Sequence, residues 1–221
     1  MNAIIFDLEF TFLRQKAYTS DILELGAVKL RLDPDGPPVW SDLFHTRVRP
    51  LFHPAIGAAT TRFTGITQED ADAAPEFPQA MTQFADWLEQ DGLPYYLCSW
   101  GPDDRQALLR HFLHHRMDAP WFHNYNDFQL SFTRLQEQDS RQRIGLAKAL
   151  VLSGLEPFGR AHTALDDAFN TAKLFRSVYR RIQLEANDGR MLAPAVVYST
   201  AETTPPPSPF AGLAERLGFA L

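Results

Sequence analysis

Asp7 and Glu9 interrupt an apolar stretch, AIIFDLEFT at residues 3–11, with a single Leu between them. Strand side chains alternate between faces, so the two carboxylates project from one side while Ile4, Phe6, Leu8 and Phe10 take the other. Two acids that close repel each other and resist desolvation unless a cation lies between them. The first thirteen residues contain no Lys or Arg, which makes a divalent metal the natural partner. A strand end emerging into water explains the same tripeptide. The metal reading therefore requires further acids and a His elsewhere in the chain.

Those residues occur at two later positions. In SWGPDDRQAL, Asp103 and Asp104 stand where a predicted strand passes into a helix, the usual edge for a site in an open α/β sheet. One of the pair is equally explained as a helix N-cap, Asp103 the more readily. In GRAHTALDDAFNTAKLF, His162 lies in the loop entering a helix, and Asp166 and Asp167 fall in its first turns. Both aspartates avoid the apolar stripe of Leu165, Ala168 and Ala172. Taken alone they read as partners of the helix dipole, and His162 as an ordinary loop residue. Taken with Asp7, Glu9 and an Asp after a later strand, they form a set suited to holding metal.

The elements that must position these residues follow from periodicity and punctuation. Strands are predicted at 2–8, 22–32 and 43–50, the last two separated by the turn DPDGPP at 33–38, which makes a three-stranded meander. PEFPQAMTQFADWLEQ spaces Phe77, Ala80, Met81, Phe84, Trp87 and Leu88 as one helix face, and PYYLCSW at 94–100 reads as a further strand. DDRQALLRHFLHHR follows as a helix with Leu108, Leu109, Phe112 and Leu113 on one face. Helical segments are predicted around 127–138 and 141–153, the second stopped by Gly154. A last helix spans about 164–186, with its stripe running on through Phe175, Tyr179 and Ile182. Strand alternating with helix is the rhythm of a layered α/β fold.

Composition narrows the classes. At 221 residues and 45% hydrophobic content the chain suits one globular α/β domain. No apolar run approaches the roughly 20 residues of a membrane span, and the first ten residues lack the features of a signal peptide. The expectation is a soluble, cytoplasmic protein that engages no membrane. The single Cys98 excludes an internal disulfide and a Cys-based zinc site. A formal charge of −6 argues against a broad basic surface for nucleic acid, although bound divalent ions would themselves attract phosphate. Arg47, Arg49, Arg62, Arg105 and Arg110 could add local charge. Past residue 190 the character changes: TAETTPPPSP at 200–209 is a Pro-rich linker, and FAGLAERLGFAL at 210–221 is a short apolar tail. We therefore divide the chain into a domain over 1–190 and a linker with tail over 191–221. Phe210, Leu213, Leu217 and Phe219 at near-helical spacing read either as a docking peptide for a partner or as a segment packing back on the domain or a dimer mate.

The ordered series FDLEFT, SWGPDDRQAL and HTALDDA resembles the three motifs of the DEDDh 3′-to-5′ exonucleases, the group of polymerase proofreading subunits, oligoribonuclease and RNase T. It is most similar to the branch of histone-mRNA and small-RNA 3′-end exonucleases with their bacterial KapD-like relatives, which it also resembles at DILELGAV, FHTRVRP and TRFTGITQEDADAAPEF. The resemblance covers roughly residues 2–185. It implies an RNase H-like α/β fold, a mixed five-stranded sheet flanked by helices with the second strand antiparallel, and dimers as a common assembly, hence a homodimer as one expectation. Carried over by position, it implies Asp7 and Glu9 in the first motif, Asp104 in the second, with Asp103 as the alternative register, and His162 with Asp167 in the third. The implied cofactors are two Mg²⁺ or Mn²⁺ ions held by Asp7, Glu9, Asp104 and Asp167, with His162 as general base. The implied substrate is the 3′ end of single-stranded RNA and/or DNA, losing nucleoside 5′-monophosphates. Leu8, Phe10 and Thr11 then correspond to positions contacting the terminal nucleotide, and Phe63 and Trp100 are candidates to stack bases. The competing reading is a module of the same fold that binds nucleic acid without cutting it.

Overall fold

The computed structural model describes residues 1–13, 20–136 and 142–191, so the linker and tail from 192 onward, with the docking reading placed on them, lie outside the described residues. Five strands form one sheet: β1 (Asn2–Phe10), β2 (Ile22–Arg31), β3 (Val39–Arg47), β4 (Tyr95–Ser99) and β5 (Tyr125–Asp127). Their order is β3-β2-β1-β4-β5. β2 runs antiparallel to β1 and β3, while β4 is parallel to β1 and β5 to β4. The sheet is mixed and five-stranded, with the meander at one side. Strands β1, β4 and β5 end at the same sheet edge.

Alternation along β1 divides the interior in two. Ile4, Phe6 and Leu8 face α3 (Phe77–Glu89) and α4 (Asp103–His114), where they pack with Phe84, Leu88, Leu108 and Phe112. Ala3 and Ile5 face the other way, into a layer with Val28, Leu30 and Cys98 of the sheet and Ala168, Ala172 and Phe175 of α7 (Ala164–Val178). Asp7 and Glu9 continue the Ala3/Ile5 side, so the pattern that buries β1 also delivers both acids beneath the start of α7. Burying the aliphatic side chains at about 25 cal/mol per Å² of apolar surface is what holds both layers on the sheet.

Several elements differ from their predicted limits. On α4 the buried face is Asp104, Arg105, Ala107, Leu108, His111 and Phe112, and Leu113 is 81% exposed because it lies a further third of a turn around the helix. His111 fills that place as a neutral ring near Phe52 and Phe77, burial pushing its pKa down to about 4. Helix α5 (Phe128–Leu135) is capped by the Asp127 side chain, which accepts from the Leu130 N–H, and α6 (Leu146–Leu152) starts only after Gly145. Helix α7 stops at Val178, followed by a 3₁₀ turn at Tyr179–Arg181, short of the expected residue 186. The chain beyond it bonds instead to the β5 region: the Glu185 N–H donates to Asn126 Oδ1 and the Asn124 N–H to the Asn187 carbonyl, both at 2.8 Å. Two short helices, α1 (Ala58–Thr64) and α2 (Gln68–Ala73), occupy the segment after β3.

Candidate active site

The acids converge at the end of β1. Glu9, His162 and Asp167 offer ligand atoms that all lie within 4.8 Å of one another. Asp7 keeps a partly exposed side, but protein surrounds its carboxylate. Burial raises its pKa well above the ordinary aspartate value, and the charges of Asp104, Asp167, Glu9 and Glu24 push it further the same way. Burial, Asp167 and Glu24 push Glu9 up to about 8, against a lowering influence from Arg160. Asp104, on α4, is raised by burial and by Asp103, with hydrogen bonds from the Leu8 N–H and the Ser99 hydroxyl pulling the other way. Asp167 is raised by burial, while the His162 N–H holds it down.

Neighbouring acids take different directions. Asp104 is 6% exposed and turns inward, whereas Asp103 faces solvent at the same helix start. Asp167 Oδ2 accepts from the His162 N–H at 2.9 Å, and Asp166 Oδ2 accepts from the Arg160 N–H at 2.8 Å. The first turn of α7 thus grips its own entry loop with both carboxylates. His162 sits in the left-handed region at φ 65°, a conformation that costs a non-glycine residue about 1 kcal/mol or more and is held here by those bonds. Its exposed ring lies 3.9 Å, centroid to centroid, from Phe63, which in turn packs at 5.9 Å from Phe12.

Two residues of β2 bring α7 down onto the acids. Gly26 pairs with Asp7 across the ladder, and a Cβ at that position would stand 2.2 Å from the Leu165 nitrogen and 2.4 Å from the Ala164 carbonyl carbon. Only glycine lets the helix backbone approach this closely. Glu24, paired with Glu9, accepts from the Ala164 N–H at 2.9 Å and lies 2.7 Å from His45 Nε2. Burial opposes its charge, yet hydrogen bonds from His45 and the Ala164 N–H bring its pKa below the usual glutamate value. A glycine inside an apolar strand is a signal of close backbone approach that the sequence does carry. Glu24, by contrast, reads there as an ordinary strand residue.

The remaining predicted contacts separate. Leu8 is buried in the core, so its backbone rather than its side chain reaches the site. Phe10 is half-buried against the same core. Thr11 is buried, and its hydroxyl accepts from the Asp21 N–H at 2.9 Å, joining the end of β1 to the start of β2. Phe63, 46% exposed, borders the site beside His162. Trp100 is half-buried against Phe128 and Phe132 of α5, at 5.4 and 5.7 Å, apart from the Phe63 group. Of the predicted arginines, Arg47 pairs with Asp70, and Arg49 donates to the Asp72 carbonyl at 3.0 Å.

The donor set fits a hard divalent cation. Among the described residues, none of Asp7, Glu9, Asp104 and Asp167 forms an ion pair with Lys or Arg, although each has its pKa raised by burial and neighbouring charge. Carboxylate oxygens with one imidazole at the margin suit Mg²⁺ or Mn²⁺ better than a thiolate-seeking metal. Among the described residues no helix is long and apolar enough to cross a membrane.

Comparison with known proteins agrees with this geometry. The exonuclease family of RNase T matches residues 4–175. ERI1 exoribonuclease 2 of Danio rerio is 31% identical over 192 residues, which cover 77% of this chain and 34% of that protein. The 3′-5′ exoribonuclease 1 of Homo sapiens is 27% identical over 180 residues, covering 75% and 50%. The chain thus corresponds to a third to a half of the length of these curated relatives. Among solved structures, the nuclease domain of 3′hExo, a DEDDh family member bound to rAMP, has a TM-score of 0.73 at 25% identity and covers 84% of this chain and 96% of its own. Exonuclease I of E. coli in complex with a dT13 oligonucleotide has a TM-score of 0.61 at 16% identity, covering 81% and 41%, and shares the RNase H-like fold. With the five-stranded mixed sheet and the acids gathered at the end of β1, these matches show that the chain belongs to the RNase T exonuclease family, in its DEDDh group.

Proposed function

We propose that this chain is a divalent-cation-dependent 3′-to-5′ exonuclease that removes nucleoside 5′-monophosphates from single-stranded nucleic acid, with RNA as the first substrate to test. The observation that carries the reading is the meeting of Glu9, Asp167 and His162 within 4.8 Å, next to a buried Asp7 that feels every other acid of the set. The names of the curated relatives support RNA over DNA. The nuclease unit is read as ending near residue 190.

Asp7 feels the charges of Asp104, Asp167 and Glu9, and these four would hold two Mg²⁺ or Mn²⁺ ions. When bound, such a pair neutralises charge that grows on the phosphoryl and leaving oxygens during hydrolysis. His162, exposed and fixed through its backbone by Asp167, takes the proton of the attacking water. Phe63 and Phe12 offer aromatic faces where a terminal base can stack, and Gly26 and Glu24 keep the start of α7 in place. A single-stranded oligoribonucleotide labelled at either end tests the direction of attack. The 3′ label should leave as a mononucleotide in the first turnover while the 5′ label passes through a ladder; early release of the 5′ label, or internal cuts, would overturn the reading.

A further inference from the structure

A cavity of about 540 Å³ lies beside β5, lined by residues other than the acids, among them Arg105, Arg134 and Arg181. Arg105 follows Asp104 directly on α4, Arg134 lies on α5, and Arg181 ends the 3₁₀ turn after α7. Strand β5, whose residues line it, is separated from β1 by β4 alone, and Arg105 adjoins Asp104 on α4, so the cavity neighbours the elements that carry the acids.

The cavity is built from fixed and free charge together. Arg105 is 4% exposed, its Nε donates to the Gly189 carbonyl at 2.6 Å, and its guanidinium lies 5.9 Å from the Tyr125 ring centroid. Arg134 and Arg181 are exposed, and neither guanidinium has a hydrogen-bond or ion-pair partner among the described residues. Two acids share the lining. Asp127 is already occupied by the Leu130 N–H at 2.9 Å and Arg143 Nη1 at 2.7 Å, which leaves exposed Glu185 against Arg134 and Arg181. A positive excess thus collects here on a chain whose formal charge is −6. Leu130 and Ile182 add apolar wall, and the volume falls in the range that accommodates a nucleotide rather than a bare anion.

We propose that this cavity is a second nucleotide subsite, which receives a nucleotide unit of the substrate strand away from the scissile end. Its phosphate lies against Arg134 and Arg181, and its sugar or base against Leu130 and Ile182. The inference rests on the nuclease reading, and its test separates the two.

Arg134→Ala/Arg181→Ala, both changes at exposed positions, is compared with the parent chain by anisotropy of a 5′-fluorescein oligouridylate in EDTA over a range of salt. Loss of one or two phosphate contacts should weaken binding and lower the slope of log affinity against log salt by about 0.7 to 1.4. Hydrolysis of the p-nitrophenyl ester of thymidine 5′-monophosphate in Mg²⁺, which has no strand to reach the cavity and needs only the acids with their metal and His162, should proceed at the parent rate. Unchanged oligonucleotide affinity and slope in the double variant, and in Arg134→Glu, overturn the subsite. Titration with 5′-UMP distinguishes the source of the nucleotide. Loss of 5′-UMP binding with strand binding intact would assign the cavity to free mononucleotide and likewise overturn the proposal. If the parent chain neither binds the strand nor cleaves the ester, the nuclease reading falls first and the subsite with it.

Discussion

Gly26→Ala tests whether the close seating of α7 on β2 is what assembles the site. The new methyl carbon would stand 2.2 Å from the Leu165 nitrogen and 2.4 Å from two further backbone atoms of the α7 start. Ordinary contact distance is about 3.5 Å or more, so the helix start must retreat by roughly 1 Å. No flexible side chain is available to yield, because the clashing atoms are backbone. Forced overpacking of this kind costs about 1–3 kcal/mol, and in a domain of this size each kcal/mol lowers Tm by about 2–4 °C. Activity should suffer more than stability. The retreat carries His162 and Asp167 away from Asp7 and Glu9, and a misplacement near 1 Å costs about a hundredfold in rate. Thermal melts with kcat/KM on a single-stranded oligoribonucleotide in Mg²⁺ measure both effects. Gly145→Ala, where an added Cβ meets nothing within 4 Å, serves as the control and should behave as the parent chain. Parent-like kcat/KM in Gly26→Ala would refute the reasoning.

Three further outcomes are expected. Without metal, Glu9 holds its proton up to about pH 8 in the fold against about 4.5 in the unfolded chain, with Asp7 and Asp104 shifted in the same direction. The folded state then binds more protons across that window, so melts in EDTA should show stability falling as pH rises from about 4.5 to about 8. Mn²⁺ at a hundred times its Kd should restore about 2.7 kcal/mol and flatten the trend; a Tm in EDTA that climbs with pH would contradict the burial of these acids. His162→Ala should lower kcat by about 10²–10⁴, and an unchanged kcat assigns His162 another role. Asp104→Asn should abolish turnover while Asp103→Asn retains it, since only the former turns inward; equal losses in the two variants would undo that distinction.

Much of this arrangement can be read from local pattern because local pattern creates it. The period of two in AIIFDLEFT both splits the core into two layers and sets Asp7 and Glu9 on one side of β1. The apolar stripe of α3 appears with all six predicted residues buried. Elements held by distant partners are harder to read. Strand β5 is three residues long and exists through its pairing with β4, so the sequence shows no strand there and only the helix predicted around 127–138 reaches its last residue. Helix α7 keeps an apolar stripe past Val178, but Asn124 and Asn126 compete for the backbone of 185–187 and end it early. The start of α2 was within reach: Thr67 and Asp70 form a reciprocal capping box, a spacing visible in TGITQED. The resemblance selects Asp167 over Asp166, but the loop that folds back through Arg160 and His162 and gives each aspartate its own backbone partner is not visible in spacing.

The most direct test of the account is a time course on 5′-labelled single-stranded RNA with Mg²⁺, Mn²⁺ or EDTA, run beside Asp7→Asn. Asp7 is the one acid that senses all the others, and the substitution removes its charge while keeping its shape. The account predicts a ladder that shortens from the 3′ end, requires metal and vanishes in Asp7→Asn, with the variant at least as stable as the parent chain in EDTA. Shortening that persists in EDTA or in Asp7→Asn would contradict it, as would an intact strand that the parent chain binds but never cuts.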